Sequence, residues 1–514
     1  MKKILPILAI SAVLGLLPGC NKWLEATSSS QISDDQLFSS RAGFHEALSG
    51  VYLNMGDQNC YGGYYTWFIN ELTGSPVALQ HNNVFDSFQH FQYTNSTSYP
   101  IVSAMWKAGY NVIANINKIL LELDRRRDVV KDDREYALIR GELLAIRAYI
   151  HFDMMRMWGV RDWDGENAGK LAIPYVTEYK KEPTIQRSYT ETVALLNADL
   201  DEAIRLLEAD PIRGESDESF QQALNPDGFW DNRTYHLNWY AARALKARLL
   251  LWQNRYDEAA TLAGAILDEV LGKGVVSWVD PVAQLNKTSN DERDWTFSSE
   301  HLFTLEVTAL YDAINIYYIN SNSNASIVTL SPEVVTALYQ TPVYIQYSED
   351  GTESTPGFTM VGDIRGPALM LKYAGRSYQI YKFYGTSSAA FRNRFPMIRF
   401  TELYMICAEA AIRAGNYRQA VEYLNTLHAH RGVDDTIPAQ VADFYGRNGS
   451  LILWLWDEMV REFIGEGQNF YFVKRCGHEI LQGNASEMIV SQRARSLTYP
   501  YPTEETSYGH IQEL

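Results

Sequence analysis

The sequence predicts a mainly α-helical protein. Tetratricopeptide-like helix pairs form its scaffold, and an irregular, loop-rich region carries a few short strands. Three observations lead there. Helical periodicity is strong over residues 102–158, 189–272 and 399–466; in the first, Ile139, Leu143, Ile146, Ile150, Met154 and Met157 recur at spacings of three and four and lay one apolar stripe along a helix. The second and third regions also resemble each other: Trp252–Ala259 can be laid on Arg413–Ala420, with Tyr256 on Tyr417 and Ala259 on Ala420. Each copy has an Ala-rich helix, a short polar turn, an aromatic and a second helix with small residues, which is the pattern of a helix pair whose members approach closely. By contrast, residues 56–100 and 273–395 are crowded with Gly, Asn, Ser, Pro and aromatics and show little helical period. Long irregular stretches in a compact domain usually have a task.

At the N-terminus, Lys2 and Lys3 precede an apolar run from Ile4 to Leu17 and then Leu17-Pro18-Gly19-Cys20. A positive start, a short apolar run and small residues at the cleavage point describe a secretory signal. The cysteine at that point reads as a lipobox, so residues 1–19 are expected to be removed and Cys20 acylated. The run is too short to span a bilayer core, which needs about 20 residues; the alternative is an ordinary secreted protein with an incidental cysteine. Residues 20–35 read as a lipidated N-terminus and polar tether. A helix is predicted over 34–55, with Leu37, Phe38, Phe44, Leu48 and Val51 on its apolar side. The helical region then runs from 36 to 272 with a loop insertion at 56–100, the irregular region covers 273–395, and helix pairs and a tail fill 396–514.

The chain has 514 residues, more than one core of roughly 250–300 residues accommodates, so two domains or an extended repeat is expected. Its net charge of -17 argues against nucleic acid and anionic lipid as partners, since both select clustered Lys and Arg. Besides Cys20, Cys407 lies in an apolar helical run and reads as a core residue, whereas the pairing of Cys60 with Cys476 stays open. No motif for catalysis is present: no HExxH, no Gly-rich phosphate loop, no Gly-x-Ser-x-Gly. Acid pairs for glycoside hydrolysis stand in no diagnostic pattern. His428 and His430 are two apart on a predicted helix and face different sides, so no metal or other cofactor is expected. Glu142, Arg147, Arg461, Glu462 and Glu466 read as charges that pair between helices and fix packing.

Several blocks, in order, resemble the SusD-like (RagB/SusD) nutrient-binding lipoproteins. They are Trp23-Leu24-Glu25 after the lipid cysteine, Ala47-Leu48-Ser49-Gly50-Val51-Tyr52, Asn111 through Leu120, and Gly141 through Phe152 continuing to Arg156 and Gly159. Further on come Arg399-Phe400-Thr401-Glu402 with Ala408-Glu409-Ala410, Leu424-Asn425 through Gly432, Arg461-Glu462-Phe463 with Glu466-Gly467, and the closing Tyr499-Pro500-Tyr501-Pro502. The resemblance implies a lipoprotein that is not an enzyme, anchored by acylated Cys20 in the outer membrane and facing the cell exterior. It implies capture of oligosaccharides or polysaccharide, occasionally peptides, and delivery to a SusC-like TonB-dependent β-barrel transporter. The rival class is a tetratricopeptide-type scaffold holding a protein partner on the periplasmic face.

Sugar capture needs flat aromatic faces against pyranose C–H groups, with amide and charged side chains for the hydroxyls. Composition and loop placement nominate Tyr64, Tyr65, Trp67 and Tyr93, then Trp278, Trp295, Tyr317 and Tyr318; Phe91 and Tyr311, and amides such as Asn315, accompany them. For the anchor, Cys20→Ala is expected to abolish acylation and release the protein from the membrane fraction. Labelled-palmitate incorporation and fractionation check this, and retention of label would contradict it.

Overall fold

The computed structural model describes residues 33–79, 84–160, 165–214, 218–319, 327–340, 345–347, 353–355, 360–447, 449–476 and 497–508; Cys20 and the tether lie outside the described residues. The first helix, α1 (Arg41–Met55), is shorter than its apolar pattern suggests, because a separate turn at Asp34–Leu37 precedes it. Serine chemistry explains the break: Ser33 caps the short turn, the Ser39 hydroxyl donates to Gln36 O (2.7 Å), and Ser40 restarts the helix by accepting from the Gly43 N–H (3.1 Å). Next come α2 (Ile69–Gly74), α3 (Ser98–Arg125), α4 (Asp133–Trp158), capped by Asp132, and α5 (Tyr189–Leu206), opened by a capping box of Ser188 and Glu191.

The two aligned segments form equivalent helix pairs, α6 (Trp239–Trp252) with α7 (Tyr256–Gly272) and, after α8 (Leu310–Tyr317), α9 (Phe400–Arg413) with α10 (Tyr417–Ala429). Asn254 and Gly415, which the alignment superposes, both take the left-handed conformation, with φ of 58° and 77°. Asn and Gly are the residues that tolerate it. Although far apart in sequence, the pairs are neighbours, since α7 packs directly on α9. The irregular stretch 273–395 is thus an insertion into a continuing helical stack. Fully buried Ala259, Ala263, Ala408 and Ala420 permit the close approach.

Further on lie α11 (Ala439–Arg447), α12 (Leu451–Phe463) and α13 (Gln468–Cys476). The strands are short. β1 (Ala78–Leu79), β3 (Val328–Leu330), β5 (Ser377–Ile380) and β4 (Leu371–Ala374) make a four-stranded sheet in that spatial order, while β2 (His301–Glu306) pairs antiparallel with β6 (Arg394–Arg399). One hydrophobic core runs from Phe38 to Tyr501, and a smaller one gathers Val279, Trp295, Phe297, Ile364, Leu369 and Met370. The C-terminal Tyr-Pro-Tyr-Pro closes the larger core: the Trp158 indole donates to Pro500 O (3.0 Å) and the Tyr501 hydroxyl to Ala172 O (2.6 Å). Cys60, Cys407 and Cys476 are free and buried.

Charges expected to fix packing do so in three buried groups. Glu142 accepts from Arg233 (2.6 Å), Tyr52 (2.6 Å) and His236 (3.0 Å), while Arg147 grips Asp199 through two bonds of 2.8 and 2.7 Å. The largest group centres on Glu462, which pairs with Arg431 (2.7 Å), Arg365 (2.9 Å) and Arg399. Around it, Arg431 also binds Glu300 (2.7 Å), Arg365 binds Asp363 (2.6 Å) and Glu458 (2.5 Å), and Arg399 binds Glu466 (2.8 Å). Arg461 reaches Glu458 (3.0 Å), and Lys382 reaches Glu466 (2.5 Å). The acids Glu300, Asp363, Glu458, Glu462 and Glu466 face as many bases, so formal charge cancels. Burial alone would raise the Glu462 carboxyl, but Arg431 and Arg399 outweigh it and hold it well below the ordinary range.

These groups set the acid response. Burial, reinforced by Arg147, holds His151 at about 3, and burial holds His301 at about 3, against 6.5 for a free imidazole. Against burial, Arg233 and His236 bring Glu142 to about 2 rather than 4.5. Those three groups bind more protons in the unfolded chain, whereas Glu71, lifted by burial to about 7, and Asp457, lifted to about 6, bind more in the native one, so the two sets offset each other above about pH 4.5 and the unfolded chain takes the excess below it. Denaturant unfolding followed against pH is expected to show stability falling as pH drops from about 4.5 towards 3; a flat profile there would contradict the ionic core described.

Candidate ligand-binding site

The first loop does not display its aromatics as a loose loop would. From Gly56 to Phe68 the chain winds in successive turns so tight that a Cβ on Gly62 would stand 2.0 Å from Gly56 O. That winding turns most of its rings inward. Tyr65 and Trp67 are each 1% exposed; the Tyr65 hydroxyl donates to Met105 O (2.8 Å) and the Trp67 indole to Gly62 O (2.8 Å). Tyr318 is completely buried and donates to Trp67 O. Tyr93 is buried edge-on against Tyr499, 5.0 Å between centroids, and helps hold the C-terminal segment. These four expected platforms are core residues: all are buried, and Tyr65, Trp67 and Tyr318 tie their polar atoms to backbone.

Tyr317 differs. It follows Ile316 at the end of α8, is half-buried, and lies over Phe68 (4.6 Å, 39°) and beside Phe85 (6.1 Å, 89°) and Trp67 (6.2 Å). Tyr64 joins the same group, 6.2 Å from Phe68 and 6.4 Å from Phe85, with its hydroxyl 3.4 Å from the Gln58 side-chain amide. Burial, with Tyr317 and Asp57 adding to it, raises the Tyr64 hydroxyl above its ordinary value, so it stays a neutral donor. Exposed Asp57 and Gln58 supply polar groups on the first loop, and Ile316 and Val84, both at least half exposed, supply apolar surface. A tyrosine face on an aromatic base with amide and carboxylate groups near it can pack a pyranose ring and bond its hydroxyls.

α8 links this group to a second. The Asn315 side-chain amide donates to Gly385 O (3.3 Å), next to Tyr384. Tyr384 and Tyr381, both partly exposed, stack at 5.3 Å and 14°, and Trp295 lies 5.9 and 6.0 Å from them. Trp295 itself is 3% exposed and its indole donates to Asn290 O (3.0 Å), so it is the floor of this group and no platform. Trp278 stands apart, stacked on His430 (4.2 Å, 7°) and edge-on to Phe400 (4.5 Å). His428 instead reaches Glu458 (2.8 Å), so the two histidines do diverge. Phe68, Phe85, Tyr381 and Tyr384 are not among the expected site residues; the last two flank Lys382, whose burial fixes their segment and carries no local sequence signal.

A family model described as starch-binding, associating with outer membrane, matches residues 22–223, and a SusD family model matches residues 347–508, together more than half of the chain. The chain belongs to the SusD family. Solved structures agree in fold. A SusD superfamily protein from Bacteroides thetaiotaomicron superposes with a TM-score of 0.71 at 16% identity, covering 93% of this chain and 98% of its own. A second from that organism gives 0.69 at 17%, covering 92% and 100%. A SusD-like carbohydrate binding protein from Bacteroides vulgatus gives 0.61 at 16%, covering 85% and 84%. No protein of curated function matches the sequence. Among the described residues no helix is long and apolar enough to cross a membrane.

The assignment of core and surface rings is open to test by stability. Trp67→Ala is expected to cost about 3–5 kcal/mol in chemical denaturation, as for a fully buried aromatic. Tyr317→Ala is expected to cost about 1 kcal/mol. Equal costs for the two would contradict the assignment.

Proposed function

We propose that this SusD-family chain captures oligosaccharide at the cell surface and delivers it to a partner TonB-dependent outer-membrane transporter, held there by acylated Cys20. It binds without catalysing. The observation that carries this is the half-exposed Tyr317 ring, backed by Phe68 and flanked by Phe85 and Tyr64, with Gln58 and Asp57 in reach of sugar hydroxyls. A partly exposed ring face of this kind forms a ledge that suits a polymer gripped along its length. The description of the matched family and the name of the Bacteroides vulgatus relative point the same way. The ledge needs no rearrangement to accept a ring, because its base is already packed, so little ordering entropy opposes binding.

Isothermal titration against oligosaccharides and peptides tests the reading. At least one oligosaccharide is expected to bind, and Tyr317→Ala is expected to weaken it by roughly tenfold or more, the worth of one stacked ring. Binding of peptides alone would replace the ligand class, and unchanged sugar affinity in Tyr317→Ala would remove the ledge as the site.

A further inference from the structure

We infer that Trp295, Tyr381 and Tyr384 form a second subsite, built for an anionic sugar, a uronate or sulfated pyranose, with Lys372 and Arg293 as its cationic partners. The inference rests on the glycan-capture reading and adds the charge class of the ligand. Its geometry comes from the β4–β5 hairpin. Lys372 stands opposite Gln379, and the Tyr381 N–H donates to Met370 O (2.9 Å), so the antiparallel ladder runs one residue past β5. Alternation along a strand then puts Lys372, Gln379 and Tyr381 on one face. Tyr381 meets Trp295 and Tyr384 there, and the Arg293 guanidinium lies 5.7 Å from the Trp295 ring.

Neither base forms an ion pair among the described residues. Arg293 donates to Gln284 O (3.3 Å), Lys287 O (2.7 Å) and the Asn290 side-chain oxygen, all neutral acceptors, and Lys372 makes no ion pair among the described residues. Three acids flank Arg293 in sequence, and none forms an ion pair with it among the described residues. Asp291 accepts from the Thr386 and Ser388 hydroxyls (2.7 and 2.8 Å), and Asp294 takes both the N–H and the hydroxyl of Ser298 (2.7 Å each). Glu292, exposed on the same turn, pairs with neither base among the described residues. In a chain with 62 acids and 45 bases, two bases on one face that form no ion pair among the described residues are unusual. Burial, and then Arg293, pushes the Lys372 ammonium below its ordinary range. A bound anion would reverse that penalty, and the rings beside it would hold the sugar that carries the charge.

The test is titration of the mature protein with an oligogalacturonate, a sulfated galactan oligosaccharide that contains no uronate, and neutral oligosaccharides of equal length. One acidic probe is expected to bind about tenfold more tightly than the neutral ones at low salt, and to lose that advantage as salt rises. Lys372→Glu is expected to cut acidic affinity by about tenfold and leave neutral affinity within about twofold, whereas Lys372→Arg retains both. Lys372 is half-exposed on a hairpin, and an unchanged melting temperature in Lys372→Glu verifies that the fold survives. Which acidic probe responds distinguishes carboxylate from sulfate. Acidic probes no tighter than neutral ones, or an acidic affinity unmoved by Lys372→Glu, would overturn the subsite. If neutral sugars still bind and Tyr317→Ala weakens them, capture at the ledge stands alone. No binding of either kind removes both.

Discussion

The rings of the candidate site are tied, by a few buried contacts, to one carboxylate, Glu462. It is fully enclosed and shared by Arg431, Arg399 and Arg365, which arrive from the end of α10, the end of β6 and the irregular insertion. A buried charge that loses its partner costs several kcal/mol, whereas a balanced cluster is close to neutral in net stability. The cluster therefore adds little to the total but penalises every arrangement that leaves one member unpaired. That helps to hold the insertion at 273–395, whose helices and strands are short, against the helical stack.

The constraint reaches the candidate site by three routes. Lys382 donates to Glu462 O (2.7 Å) and pairs with Glu466, which fixes the segment carrying Tyr381 and Tyr384. Glu300, held by Arg431, comes five residues after Trp295. Glu71 on α2, three residues after Phe68, accepts the Gly467 N–H (3.0 Å), just past Glu466. Gly467 takes φ 73° there, and a Cβ would stand 2.4 Å from Thr66 O, so the close approach leaves no room for a side chain. Burial lifts Glu71 to about 7, which marks this contact as the least settled charge along these routes.

The helical scaffold was legible because its periods are long and its turn is repeated: Tyr256 on Tyr417 and Asn254 on Gly415 are local facts that the structure makes equivalent. The break at Ser39 and Ser40 was less visible, since the apolar stripe runs straight through two hydroxyls that compete for helix backbone. The site was legible only as composition. Trp67, Tyr65 and Tyr318 read like Tyr317, and what separates them is the inward winding of Gly56–Phe68, a matter of tertiary packing rather than of residue type. Tyr317 and Tyr318 are adjacent yet opposite in role, because one faces Trp67 and the other covers Phe68 from outside. Tyr381 and Tyr384 escaped notice because nothing local says that the lysine between them is buried.

Taken together, the ionic cluster makes the ledge a preformed surface whose rings await the ligand in place. A crystal structure of the protein with a bound oligosaccharide tests that most directly. The account predicts a pyranose ring packed on Tyr317, with Tyr317, Tyr381 and Tyr384 where they stand in the free protein and Glu462 still bound by its three arginines. A sugar bound on another face, or rings that move several ångströms to meet it, would contradict it.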